Sequence, residues 1–170
     1  MNNIIKLIKK TFLILLILII PNYNSAKEIL IYADSISYDE DENIIAKGNA
    51  KIFQKNQLIF SDLIIYNQKD DKIILPSKFT FKDQNDNFFE GENGVFQKNL
   101  NFAEFENPKI RLSDGSRIIG KKIKRDGDID IITKGVYSPC VSRIKIGNFI
   151  CPTWQLEGEK ILHDNKNLFL

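Results

Sequence analysis

The residues in this 170-residue chain that could do chemistry are few and scattered. Asp34, Asp62, Asp70, Asp71 and Glu90 could supply the paired carboxylates of a glycoside hydrolase, which must be held roughly 5–10 Å apart. They fall in polar turns and at recurring segment starts, where solvated charge is the ordinary explanation. The single histidine, His163, has no serine or cysteine at a spacing that suggests an activated nucleophile, and with Asp164 it reads as a turn. Gly91-Glu92-Asn93-Gly94 opens no helix, as a phosphate-binding glycine loop must. Cys140 and Cys151 have ten residues between them and no second pair. With one histidine in the chain, four-ligand zinc geometry cannot be assembled from this inventory. In an oxidising compartment such a pair favours a disulfide over a metal site. The expectation is a protein without catalytic chemistry or cofactor.

The compartment is read from the first 26 residues. Lys6, Lys9 and Lys10 form a positive segment, Phe12 to Ile20 is an unbroken apolar run of nine, and Pro21 breaks it. Asn24-Ser25-Ala26 then offers a small residue for cleavage, which completes the layout of a secretory signal peptide. A spanning helix needs roughly 20 apolar residues, and extending this run backward meets the lysines. No cysteine follows the run, so a cleaved leader without a lipid anchor is expected. Its removal takes three of the 24 basic residues and none of the 22 acidic ones, leaving a formal charge of −1. The electrostatic case for nucleic-acid binding goes with it. The remaining 144 residues suffice for one domain with a modest core.

From Lys27 onward the pattern is short β-rich runs separated by Asp/Asn/Gly/Lys clusters. Phe79-Thr80-Phe81-Lys82, Ile110-Arg111-Leu112-Ser113 and Asp128-Ile129-Asp130-Ile131 alternate apolar with polar, as strands with one buried and one wet face do. Asp114-Gly115 and Asp126-Gly127 are hairpin signals, and looser polar turns fall at Asp39–Asn43, Gln68–Lys72 and Asp83–Asn87. A repeat emerges on stacking the segments. Ala33–Tyr38, Ser61–Tyr66, Gly91–Phe96 and Gly120–Arg125 start at intervals of 28, 30 and 29 residues. Between them lie second strands at Asn49–Phe53, Ser77–Phe81, Pro108–Leu112 and Gly135–Ser138. Units of two strands and two turns at a fixed period predict a stacked all-β architecture, a roll of two sheets with an apolar channel between them. Leu58-Ile59-Phe60, Ile64-Ile65-Tyr66, Ile73-Ile74-Leu75 and Ile118-Ile119 leave no wet side, which suggests partner surface or exposed edge.

Ala33-Asp34-Ser35-Ile36-Ser37-Tyr38-Asp39 followed by Ile45-Ala46-Lys47-Gly48-Asn49-Ala50 resembles the start of the OstA-like domain shared by the lipopolysaccharide transport proteins LptA, LptC and LptD. Three later segments resemble the junction of the LptD family. They are Val136-Tyr137-Ser138-Pro139-Cys140, Cys151-Pro152-Thr153-Trp154-Gln155-Leu156 and Ile161-Leu162-His163-Asp164. The resemblance spans residues 29 to 170. It implies a signal peptide over 1–26, an OstA-like β-jellyroll with a hydrophobic groove over 27–135, and a junction over 136–170. That junction would lead to an outer-membrane barrel that this chain lacks, since it stops at Leu168-Phe169-Leu170 inside an expected strand. Such a roll would sit in the periplasm at the outer membrane and accept lipopolysaccharide from an LptA-like bridge protein by strand-edge pairing. An LptE-like lipoprotein would join it if a barrel follows. Relatives bridge roll cysteines to a barrel pair, so Cys140 and Cys151 pair with each other or with partners outside this chain. The expected groove lining is Ile36, Tyr38, Ile52, Phe60, Ile65, Phe79, Phe81, Ile110 and Leu112. A one-residue register slip would exchange the faces. The alternative is a free-standing LptA-like bridge protein.

Overall fold

A computed structural model describes residues 29–97, 99–139, 143–146, 149–152 and 154–166, without the side chains of 143–152. The expected signal peptide and Cys140 lie outside the described residues, as does the side chain of Cys151. The described chain is all strand and turn, with no helix. In chain order the strands are β1 (Leu30–Tyr32), β2 (Ser35–Tyr38), β3 (Ile44–Gln54), β4 (Gln57–Asn67), β5 (Lys72–Leu75), β6 (Phe79–Lys82) and β7 (Phe88–Gln97). They continue with β8 (Phe102–Arg111), β9 (Arg117–Ile119), β10 (Lys122–Asp126), β11 (Ile129–Ser138), β12 (Arg143–Ile146), β13 (Phe149–Pro152) and β14 (Leu156–Asp164). Twelve form one antiparallel sheet from β1 and β2 at one end to β14 at the other, while β12 and β13 make a separate ribbon.

The sheet is folded over on itself. Long strands β3, β4, β7, β8 and β11 each run through two layers and bend in the middle, whereas the short pairs β1/β2, β5/β6 and β9/β10 break at the same line. A front layer holds β2, β5, β10 and the adjoining halves of the long strands; a back layer holds β1, β6, β9 and the other halves. The bends require backbone that ordinary strand residues avoid. Gly48 and Asn49 take φ of 75° and 46°, and Asn93, Asn107 and Lys134 take 52°, 49° and 49°. Glycine and asparagine tolerate this left-handed region best. Side chains hold the corner: Asn49 donates to Asp34 at 2.9 Å, Asn93 donates to Glu106 at 3.0 Å, and Asn107 donates to Glu92. The repeated segments that start at Ala33, Ser61, Gly91 and Gly120 begin at these corners. The repeat is therefore a turn of the roll, laying one strand in each layer. What the sequence pattern presents as two short strands is often one long bent strand, because the bulge interrupts the alternation.

The turns fall where Asp-Gly and Asp/Asn clusters predict them. Asp39 and Asp83 each accept hydrogen bonds from the backbone of residues two and four further on, closing the β2–β3 and β6–β7 turns. Gly115 and Gly127 take φ of 86° and 59° in the β8–β9 and β10–β11 turns. One expected alternation is inverted. On β11 it is Asp130 that faces inward, with no exposure, and Ile129 and Ile131 that face out. Residues 136–138 and β14, expected as junction, extend the same sheet along the whole of β11.

Candidate functional site

The space between the layers is filled by apolar side chains from every long strand. Phe79, Phe81 and Phe89 of the back layer meet Phe96 and Phe105 of the front layer. Ring centroids are 5.6 Å apart for Phe79–Phe96 and 5.1 Å for both Phe79–Phe105 and Phe81–Phe96. Edge-on and offset rings pack this closely because of their quadrupoles. The interior is thus a continuous greasy face, covered by its own opposite wall.

Seven of the nine expected lining residues face inward. Ile52, Phe79, Phe81, Ile110 and Leu112 are buried in the core. Ile36 and Tyr38 share the inner face, being paired opposite Ala46 and Ile44. They lie at the β2 end of the roll, where no further strand among the described residues covers them, and are 50% and 71% exposed. Phe60 and Ile65 point outward instead. The parity of β4 changes at Ser61-Asp62-Leu63, so Gln57, Ile59 and Ser61 face in before the bend and Ile64 and Tyr66 after it. That slip puts Phe60 and Ile65, five residues apart, on the same outer face. At the other end Leu156, opposite buried Tyr137, is on the inner face and 56% exposed, and the Trp154 ring stands 6.4 Å from the Tyr137 ring.

Opposite the corner, the turns of the two layers meet and form a mouth closed by polar side chains. Arg125 of β10 forks onto Asp130 of β11, with Nε to Oδ1 at 2.7 Å and Nη2 to Oδ2 at 2.8 Å. The same Nη2 reaches across the mouth to Asp83 of the β6–β7 turn at 3.3 Å. Asp130 also accepts from Asn165 at 3.0 Å and stands 3.4 Å from His163 Nδ1. Asn87 donates to Asn165 at 3.0 Å, which ties the layers a second time. The Arg125 guanidinium lies over the rings of Phe89 at 4.6 Å and Phe81 at 5.5 Å, so the clasp rests directly on the aromatic core. Burial alone would raise the Asp130 carboxyl, but hydrogen bonds from Arg125, His163 and Asn165 outweigh it and hold the group at about 2. Burial likewise disfavours the charged Arg125, and its two carboxylate partners reverse that and push its pKa up. Further along the mouth Gln54 donates to Asn99 at 3.0 Å, leaving its own carbonyl buried without a partner among the described residues.

The sequence pattern hides this clasp, because Asp83 and Arg125 are 42 residues apart and each reads as turn or wet face. Only the opposition of Arg125 and Asp130 across the Asp126-Gly127 hairpin is visible beforehand. The scattered carboxylates stay scattered. Asp34 serves the corner, Asp71 accepts from the Asn99 backbone at 3.2 Å, and Glu90 stands 4.0 Å from Lys109. Among the described residues no three His, Cys, Asp or Glu groups converge as a metal site would need.

No protein-family model matches the chain, and no curated protein sequence matches it. Among solved structures it is similar to LptH of Pseudomonas aeruginosa, described as the LptA-homologous periplasmic component of the conserved lipopolysaccharide transport device. That likeness has a TM-score of 0.49 at 14% identity and covers 59% of this chain and 77% of the other.

Proposed function

We propose that this chain is a periplasmic module that binds lipopolysaccharide by its acyl chains and passes it on, as the roll of an LptD-like outer-membrane assembly protein. The observation that carries this reading is the inner face itself. It is apolar from the β1/β2 end to the β14 end, and its large hydrophobic side chains reach solvent at both ends, through Ile36 and Tyr38 and through Leu156. A carrier of fatty chains needs such a continuous strip, because each CH₂ left in water is unfavourable by roughly 0.8 kcal/mol. With the layers in contact, acyl chains enter by parting them, replacing ring–ring contacts with ring–methylene contacts. The corner acts as the hinge and the Asp83–Arg125 clasp as the closure. The edges of β1/β2 and β14, unpaired among the described residues, support strand pairing with an LptA-like bridge protein, and an LptE-like lipoprotein would join only where a barrel follows.

The test is photo-crosslinking to lipid A with p-benzoyl-phenylalanine in place of Tyr38, compared with the same probe in place of Ile65. Saturable adducts at Tyr38 and not at Ile65 support the reading; absence of saturable adducts at Tyr38 ends it. A free-standing LptA-like bridge protein is the second reading, favoured by the fact that, among the described residues, both ends of the sheet offer an open edge. Reading the coding sequence past codon 170 separates the two.

A further inference from the structure

The two outer faces of the roll differ in charge. On the front, Glu104 is bridged by Lys122 at 3.1 Å and Lys124 at 3.6 Å, and Ile45, Ile65, Ile74 and Val95 form an uncharged cross-strand row. On the back, two adjacent cross-strand rows carry five cations, Lys51, Lys82, Lys109, Arg111 and Arg117, against two acids, Glu90 and, at the β14 end, Glu157. Glu90 stands 4.0 Å from Lys109, and Asp86 of the neighbouring turn pairs with Lys82 at 2.6 Å. Among the described residues no carboxylate pairs with Lys51, Arg111 or Arg117. Interleaved with these cations are the rings of Tyr32, Phe53, Phe60 and Phe88, none of them buried. Lys51 lies 5.9 Å from the Phe60 centroid and Arg111 5.4 Å from that of Phe88. Beyond residue 26 the chain carries a formal charge of −1, so this cluster is a matter of placement rather than composition.

We propose that the back face seats on an anionic phospholipid membrane surface, with Lys51, Arg111 and Arg117 at the headgroup phosphates and the four rings at headgroup depth. A soluble polyanion would satisfy the cations and leave the rings in water. An apolar protein surface would cover the rings and strand three cations. The boundary of an anionic bilayer meets both, with long basic side chains lying along ring faces and reaching outward. The proposal stands apart from the lipid-carrying interior, since it concerns the opposite surface of the back sheet.

The experiment places p-benzoyl-phenylalanine at Phe60 on the back face or at Ile74 on the front face of the full chain. Lipid adducts are measured on vesicles of phosphatidylcholine alone or mixed with phosphatidylglycerol. The comparison of faces makes the readout independent of any attachment through the apolar run near the N-terminus. We expect adducts from the Phe60 probe on the mixed vesicles. They should fall on phosphatidylcholine alone and as salt is raised. Arg111→Ala with Arg117→Ala should reduce them on the order of 20-fold, since each basic residue contributes about fivefold. Lys122→Ala with Lys124→Ala should leave them unchanged. Equal yields from the two probes, equal yields on the two vesicles, or an unaffected Arg111/Arg117 pair would each overturn the proposal. So would heparin binding by a chain whose Phe60 probe never reaches lipid, which would mark the face as a site for soluble polyanions.

Discussion

Arg125 is the residue on which the roll closes. The residue is 5% exposed, and its guanidinium forks onto one carboxylate, touches a second across the mouth and lies on two rings. A buried ion pair of this kind adds little stability over apolar packing, but removing one partner leaves the other charged and uncompensated. Asp130→Asn should therefore destabilise the fold by about 3 kcal/mol at neutral pH, read from urea denaturation. An unchanged midpoint would mean that the fork does not hold the mouth. The pH dependence has a definite sign. Asp130 titrates at about 2 in the folded chain against an ordinary value of 3.8, so its stabilisation is complete above pH 4 and is lost as pH falls from about 4 towards 2. The loss amounts to about 2 kcal/mol. It should be visible as a falling urea midpoint across that range and should vanish in Asp130→Asn. A wild-type midpoint that is flat from pH 4 to pH 2.5 would contradict the assignment.

At the scale of elements, the corner does the work that a loop would do in a simpler sandwich. Gly91 sits where β7 bends, and a Cβ there would come 2.4 Å from Cδ2 of the buried Phe105 ring. Phe105 is itself packed against Phe79 and Phe96, so the ring cannot retreat freely. Gly91→Ala should destabilise by about 1–3 kcal/mol through overpacking, whereas Gly127→Ala, with nothing within 4 Å of its Cβ position, acts only through its positive φ. Thermal denaturation of the two variants distinguishes close approach from backbone strain: equal losses would refute the packing argument at Gly91. The corner also explains what the sequence does and does not disclose. Strands such as Phe79–Lys82 and the Asp-Gly hairpins are legible because alternation and turn chemistry are local. Phe60 and Ile65 are assigned to the wrong face because Leu58-Ile59-Phe60 and Ile64-Ile65-Tyr66 are apolar on both sides, so composition does not mark which side is inner. Asp130 is misread because a carboxylate in an alternating run looks wet until its partner is placed opposite. The inter-layer tie to Asp83 is not legible at all, since nothing local pairs a residue of the β6–β7 turn with one on a strand of the other layer.

For the molecule as a whole, the two ends of the sheet are the surfaces that a second roll would meet. One end presents Ile36 and Tyr38, the other Leu156 and Trp154, each beside a strand whose far edge is unpaired among the described residues. These surfaces differ, so joining one end to the other is a head-to-tail contact that repeats without closing. Exposed edge backbone supplies the hydrogen bonds, and the inner-face side chains at each end supply apolar area continuous with the core. If the proposed transport role holds, rolls joined in this way extend the greasy strip from one molecule into the next, and the joint must be apolar to do so. Placing a charge there should break the joint while sparing the fold, because substitutions at exposed positions change stability by only about 0.5 kcal/mol. The native chain should show a sedimentation coefficient that rises steadily with concentration. Tyr38→Glu or Leu156→Glu alone should each remain a monomer, and the two mixed should form a dimer and grow no further, since each keeps the one end that the other lacks. The double variant should remain a monomer with an unchanged melting temperature. A native chain that stays monomeric throughout, or a double variant that associates as the native chain does, would show that the ends are not joining surfaces and that the apolar strip stops at the limits of one roll.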